Sequence, residues 1–265
     1  MHAKLKLPLM VFMVTWAFFS PVQAQESKPA AAPVEAVEAQ PVATGNELVV
    51  LELFSSQACA FCPKADQLFS ELIKSENVIG LACHVDYFDV RSGSLARPFC
   101  TSRQNWYMQV LGAGPNYTPQ LIVNGAADVV GYKADDIKTA IQKAQEQNPV
   151  TPIKVASAAA DGFNLSWNTK TTTTTTTTTE TEAAVLWLML LDKTHDLEIA
   201  EGRNKGRKSS YVNIVSDLEE RGPWDLSAQN KTIAVKLTEQ HAGFVVIAQG
   251  QKTGHILAAG QYKKP

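Results

Sequence analysis

The chain has 265 residues, its formal net charge is −2, and 19% of its residues are charged. A charge this close to neutral gives no electrostatic reason to expect a nucleic acid or an anionic membrane as a partner. The length is sufficient for two modest domains after an N-terminal segment is removed.

The N-terminal residues predict an export signal. Lys4 and Lys6 precede a short apolar stretch at 7–19, and Val22-Gln23-Ala24 has the small-x-small cleavage pattern. The apolar stretch is shorter than the roughly 20 residues that a transmembrane helix needs. We therefore expect a signal peptide at 1–24, a periplasmic or secreted protein, and no stable membrane anchor after cleavage. Residues 25–46, rich in Ala, Pro, Val and Glu, predict a disordered linker.

Residues 47–148 predict an α/β domain. Nearly continuous apolar runs indicate buried strands, and apolar residues at helical spacing indicate helices between them. The Asn124-Gly125 pair is a strong hairpin signal. The predicted strands are 48–54, 78–85, a short segment after Pro119, and 126–130; the helical patterns cover 65–73, 98–111 and 137–144. This order predicts a sheet with helices on both faces.

A C-x-x-C motif, Cys59 to Cys62, lies where the first strand gives way to the first helix. The unpaired N–H groups at a helix start favour a thiolate. The motif therefore predicts Cys59 as the attacking thiolate and Cys62 as the resolving thiol of a redox pair. Two alternatives stay open: a fixed structural disulfide and half of a metal site. A zinc site would need a second ligand pair, which the sequence lacks. The direction of electron transfer also stays open.

Cys83 and Cys100 complete the cysteine count, and four cysteines allow three pairings. We expect 59–62 with 83–100, because Cys100 opens a helix that returns over the sheet. A bridge of this kind would stabilise the fold by roughly 3 kcal/mol in the chain-entropy account. The alternatives are an electron relay to the first pair and two buried free thiols.

Several motifs together resemble the DUF1223 family of exported, thioredoxin-like proteins. The matching segments are Glu52 to Gln57, Cys59-x-x-Cys62-Pro63-x-Ala65-Asp66, His84 to Tyr87, Tyr117 to Gln120 and Val123-Asn124-Gly125. The resemblance extends from Glu47 to nearly the end of the chain. It implies that Pro119, after Thr118, forms a cis peptide bond and lies against the cysteine pair.

Three further polar residues lie near the motif. Thioredoxins hold a buried acid in a place comparable to Glu52, which suggests a proton relay for that residue; the alternative is an edge carboxylate or one paired with lysine. His84 and Asp86 share a strand face, where they would tune Cys59, bind a metal with it, or form a structural hydrogen-bonded pair. We expect the structural pair and no metal.

Residues 149–265 predict an all-β, sandwich-like domain. The predicted strands are 153–155, 163–167, 184–191, 232–237, 244–248 and 256–259. The run Thr171–Thr179 predicts a flexible hairpin tip. The glycine-rich basic loop at 201–208 resembles an E-x-G-x-N-x-G-R segment of the family, and it predicts either an anion site or a solvated loop.

Together these features predict an exported thiol-disulfide oxidoreductase that acts on protein or small-molecule disulfides and thiols, without a cofactor. The alternative is a non-catalytic, thioredoxin-like binding or scaffold protein with a structural disulfide. The predicted fold is an α/β thioredoxin-like domain followed by an all-β, sandwich-like domain.

Overall fold

The computed structural model describes residues 47–89, 94–158, 161–168, 183–200, 202–225 and 227–265. The predicted signal peptide, the predicted linker and the threonine run lie outside these residues. The described residues all fall within one compact unit, Ala36–Pro265. Within the described ranges, we find no helix with the length and apolar character to cross a bilayer.

The first half contains a four-stranded sheet in the order β2-β1-β3-β4. Its strands are β1 (Val49–Ser55), β2 (Val78–His84), β3 (Gln120–Val123) and β4 (Ala127–Val130), and its helices are α1 (Cys62–Leu72), α2 (Pro98–Val110) and α3 (Ala134–Gln147). β1 is parallel to β2 and antiparallel to β3, and β3 and β4 form a hairpin. The predicted α/β half is confirmed.

The alternation of side chains along β1 assigns the two faces of this sheet. Leu51 and Leu53 pack in the core that contains α1 and α3, whereas Val50 and Phe54 pack in the core that contains α2. Helices therefore cover both faces, as the sequence predicts. Glu52 falls on the α2 face, and this position decides its role below.

The second half is β-rich, as predicted. Its strands are β5 (Thr151–Pro152), β6 (Lys154–Ser157), β7 (Gly162–Ser166), β8 (Ala184–Asp192), β9 (His195–Glu198), β10 (Lys208–Tyr211), β11 (Val215–Pro223), β12 (Asn230–Ala234), β13 (His241–Gly250) and β14 (Ile256–Lys263). They form a five-stranded sheet, β11-β8-β13-β14-β5, a three-stranded sheet, β12-β7-β6, and a two-stranded ribbon, β10-β9. The sequence patterns did not predict β9, β10 or β11.

The five-stranded sheet is buried on both faces. Leu186 and Leu188 of β8 pack with residues of the three-stranded sheet. Met189 and Leu191 of the same strand pack in the core shared with α2 and the four-stranded sheet. This double burial explains why β8 reads as a continuous apolar run instead of alternating with polar residues. The two halves of the chain thus share one hydrophobic core.

Candidate functional site

Cys59 and Cys62 lie in the turn between β1 and α1. The Cys59 N–H donates to the Ser56 carbonyl at 3.2 Å, and the Cys62 N–H donates to the Cys59 carbonyl at 3.4 Å. α1 begins at Cys62, and Pro63 occupies its first turn, where a missing N–H removes no helical hydrogen bond. Cys59 therefore sits just before the start of the helix, and neither thiol is bridged.

The two thiols differ in access to solvent. Cys59 is 9% exposed, whereas Cys62 is completely buried. The Ser56 N–H donates to the Cys62 sulfur at 3.4 Å, which holds that thiol inside the turn. Cys59 is therefore the more accessible of the two cysteines.

The loop that contains Thr118 and Pro119 lies against Cys59. The Thr118–Pro119 peptide bond is cis, as the resemblance implies. The Cys59 thiol donates to the Thr118 carbonyl at 3.6 Å. On its other side, the Pro119 carbonyl accepts from the Gly131 N–H at 2.9 Å, which ties this loop to the end of the β3–β4 hairpin. The structure thus brings the predicted supporting residues Thr118 and Pro119 to the cysteine pair.

The two thiols also differ in acidity. The pKa of Cys59 is lowered to about 6, and the largest cause is the hydrogen bond from the Cys62 side chain to the Cys59 sulfur. The Thr118 side chain and the amides of Phe61 and Cys62 lower the pKa further, whereas burial opposes the shift. The pKa of Cys62 is raised well above its ordinary value by burial, by the bond to Cys59 and by the charge of Asp66. At neutral pH, Cys59 is therefore a thiolate and Cys62 a thiol.

Asp66 is the acidic group of this site. It follows Cys62 by one helical turn in α1, so the two side chains share a face of the helix. The Ser55 hydroxyl donates to Asp66 Oδ1 at 2.7 Å, and Oδ2 has no hydrogen-bond partner among the described residues. The pKa of Asp66 is raised to about 7, mainly by burial, while the Ser55 bond opposes the rise and the charge of Cys59 adds to it. Its proton is therefore exchangeable near neutral pH.

Glu52, which the sequence suggested as a proton relay, lies in a different network on the α2 face of the sheet. Arg103 donates from Nε to Glu52 Oε2 at 2.5 Å and from Nη2 to Oε1 at 3.0 Å. The Tyr107 hydroxyl also donates to Oε1, and Arg103 donates to the Gln249 side-chain oxygen at 3.0 Å. Glu52 is therefore a paired carboxylate, as the alternative interpretation predicted, but its partner is Arg103 and not a lysine. Because both carboxyl oxygens are occupied by this ion pair, the structure gives Glu52 no contact with the cysteines.

His84 and Asp86 do not form the expected pair. The His84 ring is buried edge-on to Tyr211, with centroids 5.2 Å apart, and neither of its nitrogens has a hydrogen-bond partner among the described residues. Burial lowers the pKa of His84 to about 3, so the ring is neutral. Asp86 instead accepts from the Thr101 hydroxyl at 2.5 Å, near the start of α2. The described residues contain no cluster of three His, Cys, Asp or Glu side chains suited to a metal ion.

Of the two predicted disulfides, Cys83–Cys100 is present, whereas Cys59 and Cys62 are not bridged to each other. The sulfur atoms of Cys83 and Cys100 are 2.08 Å apart, and both residues are buried. The bridge joins β2 to the first turn of α2, in the core on the opposite side of the sheet from α1. It links β2 covalently to the helix that carries Arg103.

The glycine-rich loop at 202–207 contacts the cysteine turn. Asn204 is buried, and its side-chain amide donates to the carbonyls of Gln57 at 2.9 Å and Cys59 at 2.7 Å. Gly202 lies so close that an added Cβ would meet Ala58 at 3.7 Å. The sequence predicted this loop as an anion site or a solvated loop. Its Asn204 side chain instead binds the backbone of the C-x-x-C turn.

One exposed aromatic side chain lies within the C-x-x-C motif itself. Within the described part of the chain, the exposed large hydrophobic residues are Phe61, Tyr87 and Phe88. Phe61 lies between the two cysteines and stacks on Tyr132, and Tyr87 packs on Phe88 with ring centroids 4.8 Å apart. Burial is the main cause of the raised pKa of Tyr87, and the charge of Cys59 adds to the rise. Exposed apolar surface of this kind marks contact sites.

Comparison with known proteins assigns the family. The sequence profile of a family described as a protein of unknown function (DUF1223) matches residues 50–249, which is most of the chain. The chain belongs to the DUF1223 family. No curated protein matches this DUF1223 chain.

Two solved structures are similar to this DUF1223 protein. The crystal structure of protein AGR_C_4864 from Agrobacterium tumefaciens aligns with a TM-score of 0.64 at 26% identity, covering 81% of this chain and 92% of that one. HBP35 of Porphyromonas gingivalis aligns with a TM-score of 0.55 at 15% identity, covering 82% of this chain and 75% of that one. The second likeness is one of fold alone.

Sequence reasoning missed two residues of this site in the DUF1223 chain. Asp66 was noticed only as part of the family motif, although its spacing from Cys62, one helical turn, is a signal that predicts contact. Asn204 was noticed only as part of a basic loop. Its side chain binds Cys59, which lies 145 positions earlier in the sequence, and a local sequence pattern cannot predict a contact between residues so far apart in the chain.

Proposed function

We propose that this DUF1223 protein is an exported thiol-disulfide oxidoreductase, periplasmic or secreted, and that its first half is a thioredoxin-like domain. The strand order β2-β1-β3-β4, the cysteine pair at the start of α1 and the cis Pro119 before β3 support the proposed fold. The difference in access and acidity between the two thiols carries the proposed function, because an inert pair has no need of a slightly accessible thiolate beside a fully buried thiol.

The proposed reaction has two exchange steps. In the first, the Cys59 thiolate attacks one sulfur of a substrate disulfide; a Cys59–substrate disulfide forms, and the other substrate sulfur leaves as a thiolate. In the second, the Cys62 thiol gives its proton to Asp66 and attacks the Cys59 sulfur. The Cys59–Cys62 disulfide forms, and the substrate sulfur leaves as a thiol or thiolate. Two electrons pass from the pair to the substrate, and the reverse sequence oxidises a dithiol.

The surface around Cys59 favours a polypeptide substrate over a small thiol. Phe61, between the two cysteines, is exposed, and so are Tyr87 and Phe88, which pack on each other in the segment after β2. Apolar area of this kind contacts flanking side chains that a polypeptide has and a small thiol lacks. We therefore propose protein disulfides or thiols as the substrates, with no cofactor.

The test is a pair of serine variants of the exported protein. Cys62→Ser leaves the attacking thiolate without its resolving partner, so it should accumulate mixed disulfides with partner proteins, visible on non-reducing gels and lost on reduction. Cys59→Ser should abolish reduction of a model protein disulfide by the reduced protein.

The matched control is the double variant Cys59→Ser/Cys62→Ser, which lacks the attacking sulfur and should trap nothing. If Cys62→Ser captures no partner from the compartment to which the protein is exported, the enzymatic proposal fails. A reduced pair with ordinary thiol acidity would instead support the non-catalytic scaffold.

A further inference from the structure

The C-x-x-C turn is held from outside by one side chain. The two amide hydrogens of Asn204 are both used, one on the Gln57 carbonyl at 2.9 Å and one on the Cys59 carbonyl at 2.7 Å. Asn204 is 8% exposed, so these bonds form where water competes little. They span the residues that set where the Cys59 side chain points.

Three backbone hydrogen bonds hold the loop segment at 202–207 that carries Asn204. The Lys205 N–H donates to the Gly202 carbonyl at 3.2 Å, the Arg207 N–H to the Asn204 carbonyl at 3.0 Å, and the Gly206 N–H to the Ile199 carbonyl at 2.7 Å. Gly206 has a φ of 80°, a conformation that glycine adopts without strain. The loop joins β9 to β10, whose side chains Leu197 and Tyr211 pack in the core that contains α1. The amide is therefore held against the turn by packed structure on both sides.

We propose that Asn204 is a positioning residue for Cys59: its side-chain amide holds the Gln57–Cys59 turn so that the Cys59 sulfur faces the Cys62 thiol and the amides at the start of α1. This inference rests on the proposed function, since it assigns the contact a part in thiol chemistry. The second half of the chain thereby completes a site whose cysteines lie in the first half.

The physical reason is that short-range contacts hold the thiolate. The Cys59 thiolate is stabilised first by the hydrogen bond from the Cys62 side chain and further by the Phe61 and Cys62 amides. Such bonds weaken steeply with distance and angle. A turn released from Asn204 would place the sulfur less well for all of them at once, and the thiolate would lose stability without any change in the cysteines.

The experiment measures the pH dependence of Cys59 alkylation by iodoacetamide in the reduced full-length protein. Asn204→Ala removes both donors, and we expect the midpoint to rise by about one unit or more, so that the rate at pH 5, relative to its high-pH plateau, falls about tenfold. Asn204→Asp keeps the size but cannot donate, and it adds a negative charge beside the turn, so its midpoint should rise further. Asn204→Ser keeps one donor and should lie between wild type and Asn204→Ala.

The matched control is Asn213→Gly. Asn213 donates its side-chain amide to the Gly80 carbonyl at 3.0 Å, which is also a bond between the two halves but is made to β2 and not to the turn that carries Cys59 and Cys62. Glycine accepts the φ of 52° found there. The control should lose stability and keep the wild-type midpoint.

An unchanged midpoint in folded Asn204→Ala, or an equal rise in Asn213→Gly, overturns the inference. If Asn204→Ala does not fold, as judged by near-UV circular dichroism, Asn204→Ser decides the matter by the same criterion. Failure of the proposed function would give a different result. With Asn204 intact, Cys59 would show the alkylation midpoint of an ordinary thiol, and Cys62→Ser would trap no partner.

Discussion

The acidity of Cys59 can be tested by removing the thiol that contributes most to it. In Cys62→Ala, the hydrogen bond from the Cys62 side chain to the Cys59 sulfur is lost, and it is the largest cause of the lowered pKa. A hydrogen bond to a charged group contributes about 1.5–3 kcal/mol. One pKa unit corresponds to about 1.4 kcal/mol. The pKa of Cys59 should therefore rise by about 1–2 units from its wild-type value of about 6.

The assay is the rate of iodoacetamide alkylation between pH 4 and pH 10, with the Cys59 peptide quantified by mass spectrometry. The midpoint of the pH profile is the informative quantity. The rate at one pH is less informative, because a thiolate of lower pKa is also a weaker nucleophile and the two effects partly cancel. Cys62→Ser is the matched control, since its hydroxyl still donates, and its midpoint should lie between wild type and Cys62→Ala.

Two results would refute this reasoning. A wild-type midpoint near that of a free thiol would mean that the two cysteines do not differ in acidity. A Cys62→Ala midpoint that stays near the wild-type value would mean that the helix amides alone hold the thiolate and that the Cys62 thiol contributes nothing.

Two further predictions concern the buried charges on either face of the four-stranded sheet. In wild type, the release of substrate from its mixed disulfide with Cys59 should become faster as the pH rises through about 7, because Asp66 then ionises and can accept the proton of the Cys62 thiol. Asp66→Asn should remove this pH dependence in a stopped-flow assay. Because burial raises the pKa of Asp66 from 3.8 to about 7, this carboxyl lowers the stability of the fold progressively between those two pH values and by a constant amount above about pH 7, so Asp66→Asn should also be more stable than wild type at pH 8. Arg103→Ala should cost about 3–5 kcal/mol in urea unfolding, because Glu52 is left buried and unpaired. Adding Glu52→Gln should recover part of that loss, and a cost under about 1 kcal/mol would contradict the buried pair.

The elements that the sequence predicts well are those whose signal is local. The apolar stripe from Ala65 to Leu72 reports the buried face of α1 directly. By contrast, β11 is largely polar, and it forms because it pairs with the edge of β8 through two register shifts. The ribbon of β9 and β10 is likewise short and polar. Strands of this kind depend on partners distant in the chain, which a local pattern does not contain.

The candidate site divides in the same way. Cys59, Cys62 and Pro119 come from short motifs, and the structure brings them together. The prediction that Glu52 is the acid beside the cysteines depended on which face of β1 its side chain occupies, and a shift of one residue moves a side chain to the opposite face. In the structure, Glu52 lies on the face that contacts Arg103. The acid beside the cysteines is Asp66, on a helix, where the spacing from Cys62 fixes the face more firmly.

The five-stranded sheet, buried on both faces, has a consequence for how this protein changes over time. A recombination event that transferred only residues 47–148 would carry away an apolar surface without the strands β8 and β13 that cover it. Such a fragment would aggregate before it could be selected for any chemistry. We therefore expect the segment with the cysteine pair and the strands far along the chain to be inherited as one piece.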